Sequence, residues 1–502
     1  MDTSITYWIR KRAYITPDRV ALIGENKKFT YQELLLEIER VSSFLDHVMQ
    51  LKKGDRIAIL SQNRAEYFIT YFAIAQLGLI AVPLNIRLSA SELAYQIQDS
   101  GAKAIIYEKE QEALYKQLND LVHFENSQIF EGGFSSFSTK KVEVDFEINS
   151  SEDPYIICYT SGTTGKPKGA VLTQENMFWN ALNNQYALDL TSSDRCLVIL
   201  PLFHIGGIGL FAFPTFLAGG SVIIPGKFQP KQVLKLIEDL KVTVMMGVPT
   251  IYNALITEET FKKTDFTSLR VFCSGGAPCP VELLHAYHEQ GLPLYQGFGM
   301  TETSPTVFML SKEDYKRKIG SIGKPVMFCE IDLIDDHGNS VKQGDVGELI
   351  IKGKNVFKEY WGLPDKTAES IKNGWFYTGD LAYKDDEGFI YIAGRKKDMI
   401  ISGGENIYPL EVEQIIGEMK EINEVAVIGI QDEKWGEVPV AMISLKAGHQ
   451  LSEIDIQNYC ASKLAKYKVP KKVVFLEDLP KNATGKLDKK VMQLQIEKVE
   501  LT

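Results

Sequence analysis

Apolar residues along most of this chain switch repeatedly between a spacing near 3.6 and a spacing of two, which commits it to an α/β architecture. Tyr31 to Leu45 has helical spacing, Arg56 to Leu60 reads as a strand, and Ala65 to Leu77 is helical again. Ala81-Val82 opens a strand, Ser91 to Asp99 a helix, and Ala104 to Tyr107 a further strand. Lys140 to Asp153 is polar and acidic and reads as a connection. The alternation resumes with Cys196 to Leu200, the helix Pro230 to Leu240, and the strands Val242 to Met245 and Leu269 to Cys273. Strands alternating with helices predict βαβ units and a largely parallel sheet. After Ser321 the texture becomes short strands with turns. Glu330 to Ile334 and Gly347 to Ile351 are strands, with turns at His337-Gly338 and Asp386 to Gly388, which predicts a small β-barrel-like subdomain. A charged turn, Gly394 to Asp398, precedes a compact α+β region. Its strands are Asn423 to Gly429, Ala441 to Leu445 and Lys472 to Leu476, and its main helix is Ile454 to Leu464.

At 502 residues the chain is too long for one ordinary core. A net charge of −10 argues against nucleic acid as a main partner. Six cysteines (158, 196, 273, 279, 329 and 460) stand apart without a CxxC pair, which predicts buried, reduced thiols in a cytoplasmic protein and no zinc site. The opening MDTSITYWIRKRAYITPDR lacks an apolar core for a secretory signal. Ile205 to Ile224 carries no charge over a length that could span a bilayer, but five glycines and Pro214 favour a buried helix and strand. No transmembrane span is expected; peripheral membrane contact and a homodimer stay open.

Chemistry concentrates in Tyr159 to Gly169, reading YTSGTTGKPKG. The apolar run Tyr155 to Cys158 before it predicts a strand that delivers the loop to a sheet edge. Gly162, Gly165 and Gly169 let backbone N–H groups approach an anion. Thr160, Ser161, Thr163 and Thr164 add donors, and Lys166 and Lys168 add positive charge. The loop suits a polyphosphate. It is not a Walker A loop, since Pro167 follows Gly165-Lys166 and no helix is expected there.

This segment resembles the phosphate-binding signature of the adenylate-forming superfamily of acyl-CoA synthetases, luciferases and peptide-synthetase adenylation domains. Further motifs follow in the same order: YQGFGMTE (295–302), YTGD (377–380), GRKKD (394–398), SGGENIYP (402–409) and PKNATGK (480–486). The resemblance covers nearly the whole chain. It implies an N-terminal domain of residues 1–396 with stacked mixed and parallel sheets, and a mobile C-terminal lid of residues 397–502. The implied reaction is ATP-dependent, Mg2+-dependent ligation of a carboxylic acid to coenzyme A through an acyl-adenylate.

Residue roles follow from the same resemblance. Glu302 would bind Mg2+ together with the Thr160 hydroxyl. Thr160 to Gly165 and Lys168 would cradle the phosphates, with Thr164 among the catalytic groups, and Thr301 would reach the α-phosphate. Phe298 would lie against adenine, within a wall formed by Gln296, Gly297, Gly299 and Met300 and by Gly275, Gly276 and Ala277. Asp380 would accept both ribose hydroxyls and Arg395 would contact the same ribose. Lys486 would offset charge at the α-phosphate during adenylation. Lys397 would be the hinge of a lid rotation that exchanges Lys486 for the loop Ser402 to Glu405, with Gly403 and Gly404 bordering the pantetheine path. His204 would orient the carboxylate or gate the acyl pocket.

Gly206, Gly207 and Gly209, followed by Leu210 to Phe213, together with Val248, Cys273 and Met300, predict an apolar acyl pocket. Overall similarity points to medium- and long-chain fatty-acyl-CoA synthetases, with o-succinylbenzoate-CoA ligase and 4-coumarate-type ligases as alternatives. His-Ile-Gly-Gly-Ile-Gly differs from the HxSGLS usual in o-succinylbenzoate ligases. Intact Glu302, Asp380 and Lys486 argue against a non-catalytic nucleotide sensor. The lack of an insertion between Ile350 and Arg395 argues against a carrier-protein acceptor.

Overall fold

The computed structural model describes residues 3–132, 150–160, 166–481 and 486–500, with side chains through residue 496. Contacts divide the chain into two units. The first comprises Met1–Cys279, Leu283–Glu330 and Ile351–Phe376; the second comprises Pro280–Glu282, Ile331–Ile350 and Tyr377–Thr502.

The first unit is built on two mixed sheets. A nine-stranded sheet runs in parallel from Leu294–Gly299 through Val271–Ser274, Val244–Gly247, Arg195–Val198 and Ser221–Ile223 to Val20–Ile23, with antiparallel strands at both ends. A seven-stranded sheet has the order Glu359–Tyr360, Lys168–Thr173, Pro154–Thr160, Ile80–Pro83, Arg56–Leu60, Ala104–Tyr107 and Asn126–Ile129. Parallel strands end on one side of their sheet. Hence the loops after Val198, Gly247, Ser274 and Gly299, which carry several of the expected site residues, all leave the nine-stranded sheet at the same rim.

Local chemistry explains the element ends. Thr30 with Glu33, Ser89 with Glu92 and Thr173 with Asn176 form reciprocal capping boxes at helices Tyr31–His47, Ala90–Ser100 and Gln174–Ala187. Gly78 closes helix Ala65–Leu77 in the left-handed conformation. That helix is buried on every face, and its Phe68 and Phe72 pack on Phe213 and Phe216 at 5.2–6.1 Å between ring centres. The uncharged stretch from Ile205 is therefore core: helices Ile205–Gly209 and Ala212–Ala218 followed by strand Ser221–Ile223. Among the described residues, no helix is long and apolar enough to cross a membrane.

Two expectations need correction. Strand Pro154–Thr160 lies inside its sheet, between Lys168–Thr173 and Ile80–Pro83, and not at its edge. Burial of all four residues Tyr155 to Cys158 shows that both faces of this strand are covered. Lys168 and Gly169, read as loop, begin the antiparallel return strand, with Thr160 opposite Lys168.

The region of short strands forms a five-stranded sheet with turns at Asp335–Gly338 and Asp385–Gly388. Within the second unit, Ile422–Asp432 and Gly436–Leu445 make a long hairpin, joined by Lys472–Phe475 and by Ile400–Ser402 with Glu405–Ile407. Helices Pro409–Gly417 and Glu453–Lys463 pack on it around Val412, Ile416, Val427, Ile443 and Ile456. All six cysteines are free and buried. Burial pushes the thiols of Cys158, Cys196, Cys279 and Cys329 up to about 12 and that of Cys460 to about 11.

Asp194 ties the start of strand Arg195–Val198 to its neighbours. It is 4% exposed, takes two bonds of 2.8 Å from Arg270, and accepts from the Thr243 hydroxyl at 2.7 Å and the Thr191 N–H at 2.7 Å. Burial opposes the charge, but these donors prevail and hold the carboxyl below its usual value. Asp194→Asn should lower the stability of the first unit by about 2 kcal/mol at pH 7, measured by urea unfolding. A depressed carboxyl stabilises above its unfolded value and loses that contribution as pH falls through the folded one. The gap between wild type and variant should therefore close below about pH 4.

Candidate active site

Thr160, Lys168 and Glu302 are brought together through a residue that sequence reasoning missed, Tyr360. Strand Glu359–Tyr360 pairs antiparallel with Lys168–Thr173, placing Tyr360 opposite Ala170. The Tyr360 hydroxyl donates to Glu302 Oε1 at 2.8 Å. The Lys168 ammonium lies 3.8 Å from the centre of the Tyr360 ring. Thr160 is the cross-strand partner of Lys168, and its hydroxyl donates to the Lys168 carbonyl at 3.5 Å. Burial lowers the pKa of Lys168, while the nearby Glu302 carboxylate counters that fall. The phenol of Tyr360 is shifted far upward, first by burial and then by the Glu302 charge. Ser161, Gly162, Thr163, Thr164 and Gly165 lie outside the described residues.

The donor set fits a magnesium ion that keeps most of its coordination for phosphate and water. Glu302 Oε2 has no hydrogen-bond partner among the described residues, and the Thr160 hydroxyl is a second hard oxygen. Among the described residues, no three His, Cys, Asp or Glu side chains form an all-protein cage.

Gly275 follows strand Val271–Ser274 and packs beside Gln296 and Gly297 on the neighbouring strand. A Cβ at Gly275 would come within 3.0 Å of the Gly297 carbonyl, which only glycine avoids. Gly276 and Ala277 are exposed. Phe298 is half-buried, edge-on to Phe308 at 6.0 Å. Gly299 is pressed against the Pro305 carbonyl, and Met300 donates its N–H to that carbonyl at 3.0 Å. Thr301 and Glu302 occupy the single helical turn Thr301–Thr303. His204 caps helix Ile205–Gly209, its Nδ1 accepting from the Gly206 N–H at 3.1 Å.

Buried amides hold these pieces in place. The Asn180 side chain donates to the Gly209 carbonyl at 2.7 Å and accepts from the Thr306 N–H at 2.9 Å, tying the His204 helix to the segment after Glu302. Asn184 donates to the Thr306 hydroxyl, and Asn355 donates to the carbonyls of Thr303 and Thr306 at 2.9 Å each. Asn176, Asn180, Asn183 and Asn184 are all buried on one face of helix Gln174–Ala187. Their i, i+4, i+7, i+8 spacing was the available signal: polar residues on a core-facing stripe must serve buried peptide groups.

In the second unit, Asp380 and Arg395 face each other on antiparallel strands and form an ion pair of 3.0 Å, with Asp380 buried and Arg395 exposed. Lys397 is exposed in the turn Lys396–Asp398, whose Lys396 pairs with Asp336 and Glu348. Gly403 and Gly404 have φ of +60° and +88°, which the reversal between Ser402 and Glu405 requires. Lys486 is exposed, beside a bridge pairing Lys481 with Leu487; positions 482–485 of its motif lie outside the described residues.

Known proteins match nearly the whole chain. A family model described as "AMP-binding enzyme" matches residues 9–361, and one described as "AMP-binding enzyme C-terminal domain" matches residues 411–486. The chain is 38% identical over 480 residues to feruloyl-CoA synthase of an Amycolatopsis species, covering 96% of each protein. It is 37% identical to 2-succinylbenzoate–CoA ligase of Bacillus cereus, covering 99% of this chain and 100% of that protein. Among solved structures, o-succinylbenzoate coenzyme A synthetase of Bacillus subtilis, in complex with ATP and magnesium ion, is similar with a TM-score of 0.88. That match has 36% identity and covers 98% of this chain and 99% of that one.

Removing the Asn180 amide would leave the Gly209 carbonyl and Thr306 N–H buried without their partner. Asn180→Ala should cost about 2–4 kcal/mol, read as a lower urea midpoint, and should depress thioester formation more than Asn183→Ala does.

Proposed function

Because the chain belongs to the AMP-binding enzyme family and acts as an AMP-forming acyl- or aryl-CoA ligase using ATP, Mg2+ and coenzyme A, we propose that its acid is a compact aromatic monocarboxylate. The medium- or long-chain fatty acid expected from the sequence is the alternative. The relatives just described are named for feruloyl and succinylbenzoyl substrates.

One packing observation carries the narrower reading. The glycines expected to open an apolar channel after His204 are filled by their surroundings. A Cβ at Gly207 would meet the Pro201 carbonyl at 2.3 Å, one at Gly209 the Ser304 carbonyl at 2.7 Å, and one at Gly206 three side chains at 3.3–3.4 Å. At Gly276, by contrast, the only atom of the described residues within 4 Å of that position is Val248 Cγ1 at 3.7 Å. A flat, short acid lying against the exposed Gly276 fits such a surface better than a long alkyl chain. The stretches 197–226 and 271–300 contain no Lys or Arg, which favours an acid whose only charge is the reacting carboxylate over one with a second carboxylate.

Two half-reactions share the work. A carboxylate oxygen attacks the α-phosphorus of ATP, the new P–O bond forms, and pyrophosphate departs with the electron pair. The coenzyme A sulfur then attacks the acyl carbon, and AMP departs. Thr160 and Glu302 would hold Mg2+, which when bound would supply charge neutralisation for the triphosphate. Phe298 packs on adenine, Asp380 and Arg395 bind the ribose, and His204 orients the acid. Lys486 serves the first half-reaction by offsetting charge at the α-phosphate, and the Gly403-Gly404 loop serves the second. Lys397, at the start of a lid of residues 397–502, is the pivot between them.

Lys486→Ala should abolish most acid-dependent ATP–pyrophosphate exchange while sparing thioester formation from supplied acyl-adenylate. Equal loss of both would remove Lys486 from the role given to it. The substrate class is tested with a panel of cinnamates, arylacetates, o-succinylbenzoate and fatty acids of graded length. The highest kcat/KM should fall to an aromatic monocarboxylate; a maximum at long fatty acids or at o-succinylbenzoate would overturn the reading.

A further inference from the structure

We infer that Tyr360 is a positioning residue for the divalent cation, acting as a spacer that holds the Lys168 charge close to Glu302 without letting it cover the carboxylate. The inference rests on the role of Glu302 as a metal ligand proposed above.

The geometry gives the two ends of Tyr360 different tasks. Its hydroxyl donates to Glu302 Oε1 at 2.8 Å, fixing the carboxylate orientation and using one oxygen. Its ring face takes the Lys168 ammonium at 3.8 Å from the centroid. Among the described residues, Lys168 and Glu302 form no ion pair with each other, although Lys168 senses the Glu302 charge. A lysine set directly on a carboxylate would compete with a metal ion for the same oxygen. Held on an aromatic face, it neutralises the site at slightly longer range and leaves Oε2 open.

Tyr360 is itself anchored against reorientation. It is 4% exposed, its ring packs on Phe357 at 4.7 Å, and its N–H donates to the Thr367 hydroxyl at 3.0 Å. Phe357 donates its own N–H to the Glu302 carbonyl at 2.8 Å, so the segment 357–360 holds Glu302 by both backbone and side chain. Hydrogen-bonding partners that orient a metal-ligating carboxylate typically matter 10- to 100-fold in metal affinity.

The test is Mn2+ binding, followed by electron paramagnetic resonance, to the full chain saturated with α,β-methylene-ATP. Tyr360→Phe, which keeps the ring and the Lys168 contact, should weaken Mn2+ binding about tenfold while leaving thermal stability and metal-free nucleotide binding near wild type. Tyr360→Leu, which also frees Lys168 to fall onto Glu302, should weaken it further. In ATP–pyrophosphate exchange, Tyr360→Phe should raise the half-saturating Mg2+ concentration by a similar factor, with rate recovered at high Mg2+. Wild-type Mn2+ affinity in Tyr360→Phe, alongside lost affinity in Glu302→Gln, would overturn the spacer role alone. Wild-type affinity in Glu302→Gln would instead overturn the assignment of Glu302 as ligand.

Discussion

Buried peptide groups need partners, and the first unit is organised around meeting that need where the chain leaves regular structure. The turn from Met300 to Thr306 carries Thr301 and Glu302, and it lies in the interior where water cannot satisfy its carbonyls. Asn355 takes the carbonyls of Thr303 and Thr306, and Asn180 takes the Thr306 N–H. Asn176 donates to the carbonyls of Lys354 and Val356, fixing the segment that ends in Tyr360. One helix face of amides, together with Asn355, thereby sets the positions of a carboxylate, a phenol and the last turn of the His204 helix.

Much of the scaffold was legible because its elements are long and strongly patterned. Helix Ala65–Leu77 and strand Ala104–Tyr107 stand where their periodicity puts them, and most other boundaries move by one to three residues. Strand Gly436–Leu445 starts five residues earlier than expected. The strand takes in Pro439, whose carbonyl accepts from Lys471 and whose missing N–H costs a single ladder bond. Lys168 and Gly169 read as loop within a segment of glycines, hydroxyls and lysines, whereas they begin the strand that pairs antiparallel with Pro154–Thr160.

The site was legible only in part. Residue types suited to phosphate named Thr160 and Lys168, and the family resemblance named Glu302 and the glycine walls. Tyr360 carried no such mark: it lies 58 positions beyond Glu302 in a stretch of turn-forming residues, and only sheet pairing brings it back. The glycines after His204 were read as space for substrate, but glycine also appears where backbones must touch. Sequence does not distinguish those two uses.

The burial of all six cysteines has a bearing on reaction fidelity. An acyl-adenylate is a potent electrophile toward sulfur, and the enzyme makes it in order to hand it to one particular sulfur. A side-chain thiol near pKa 12 is thiolate in only roughly one part in 100,000 at neutral pH, and a sequestered one cannot approach besides. The protein thus offers its activated product no exposed cysteine thiol, and S-acylation of its own chain is disfavoured by the same packing that builds the sheets.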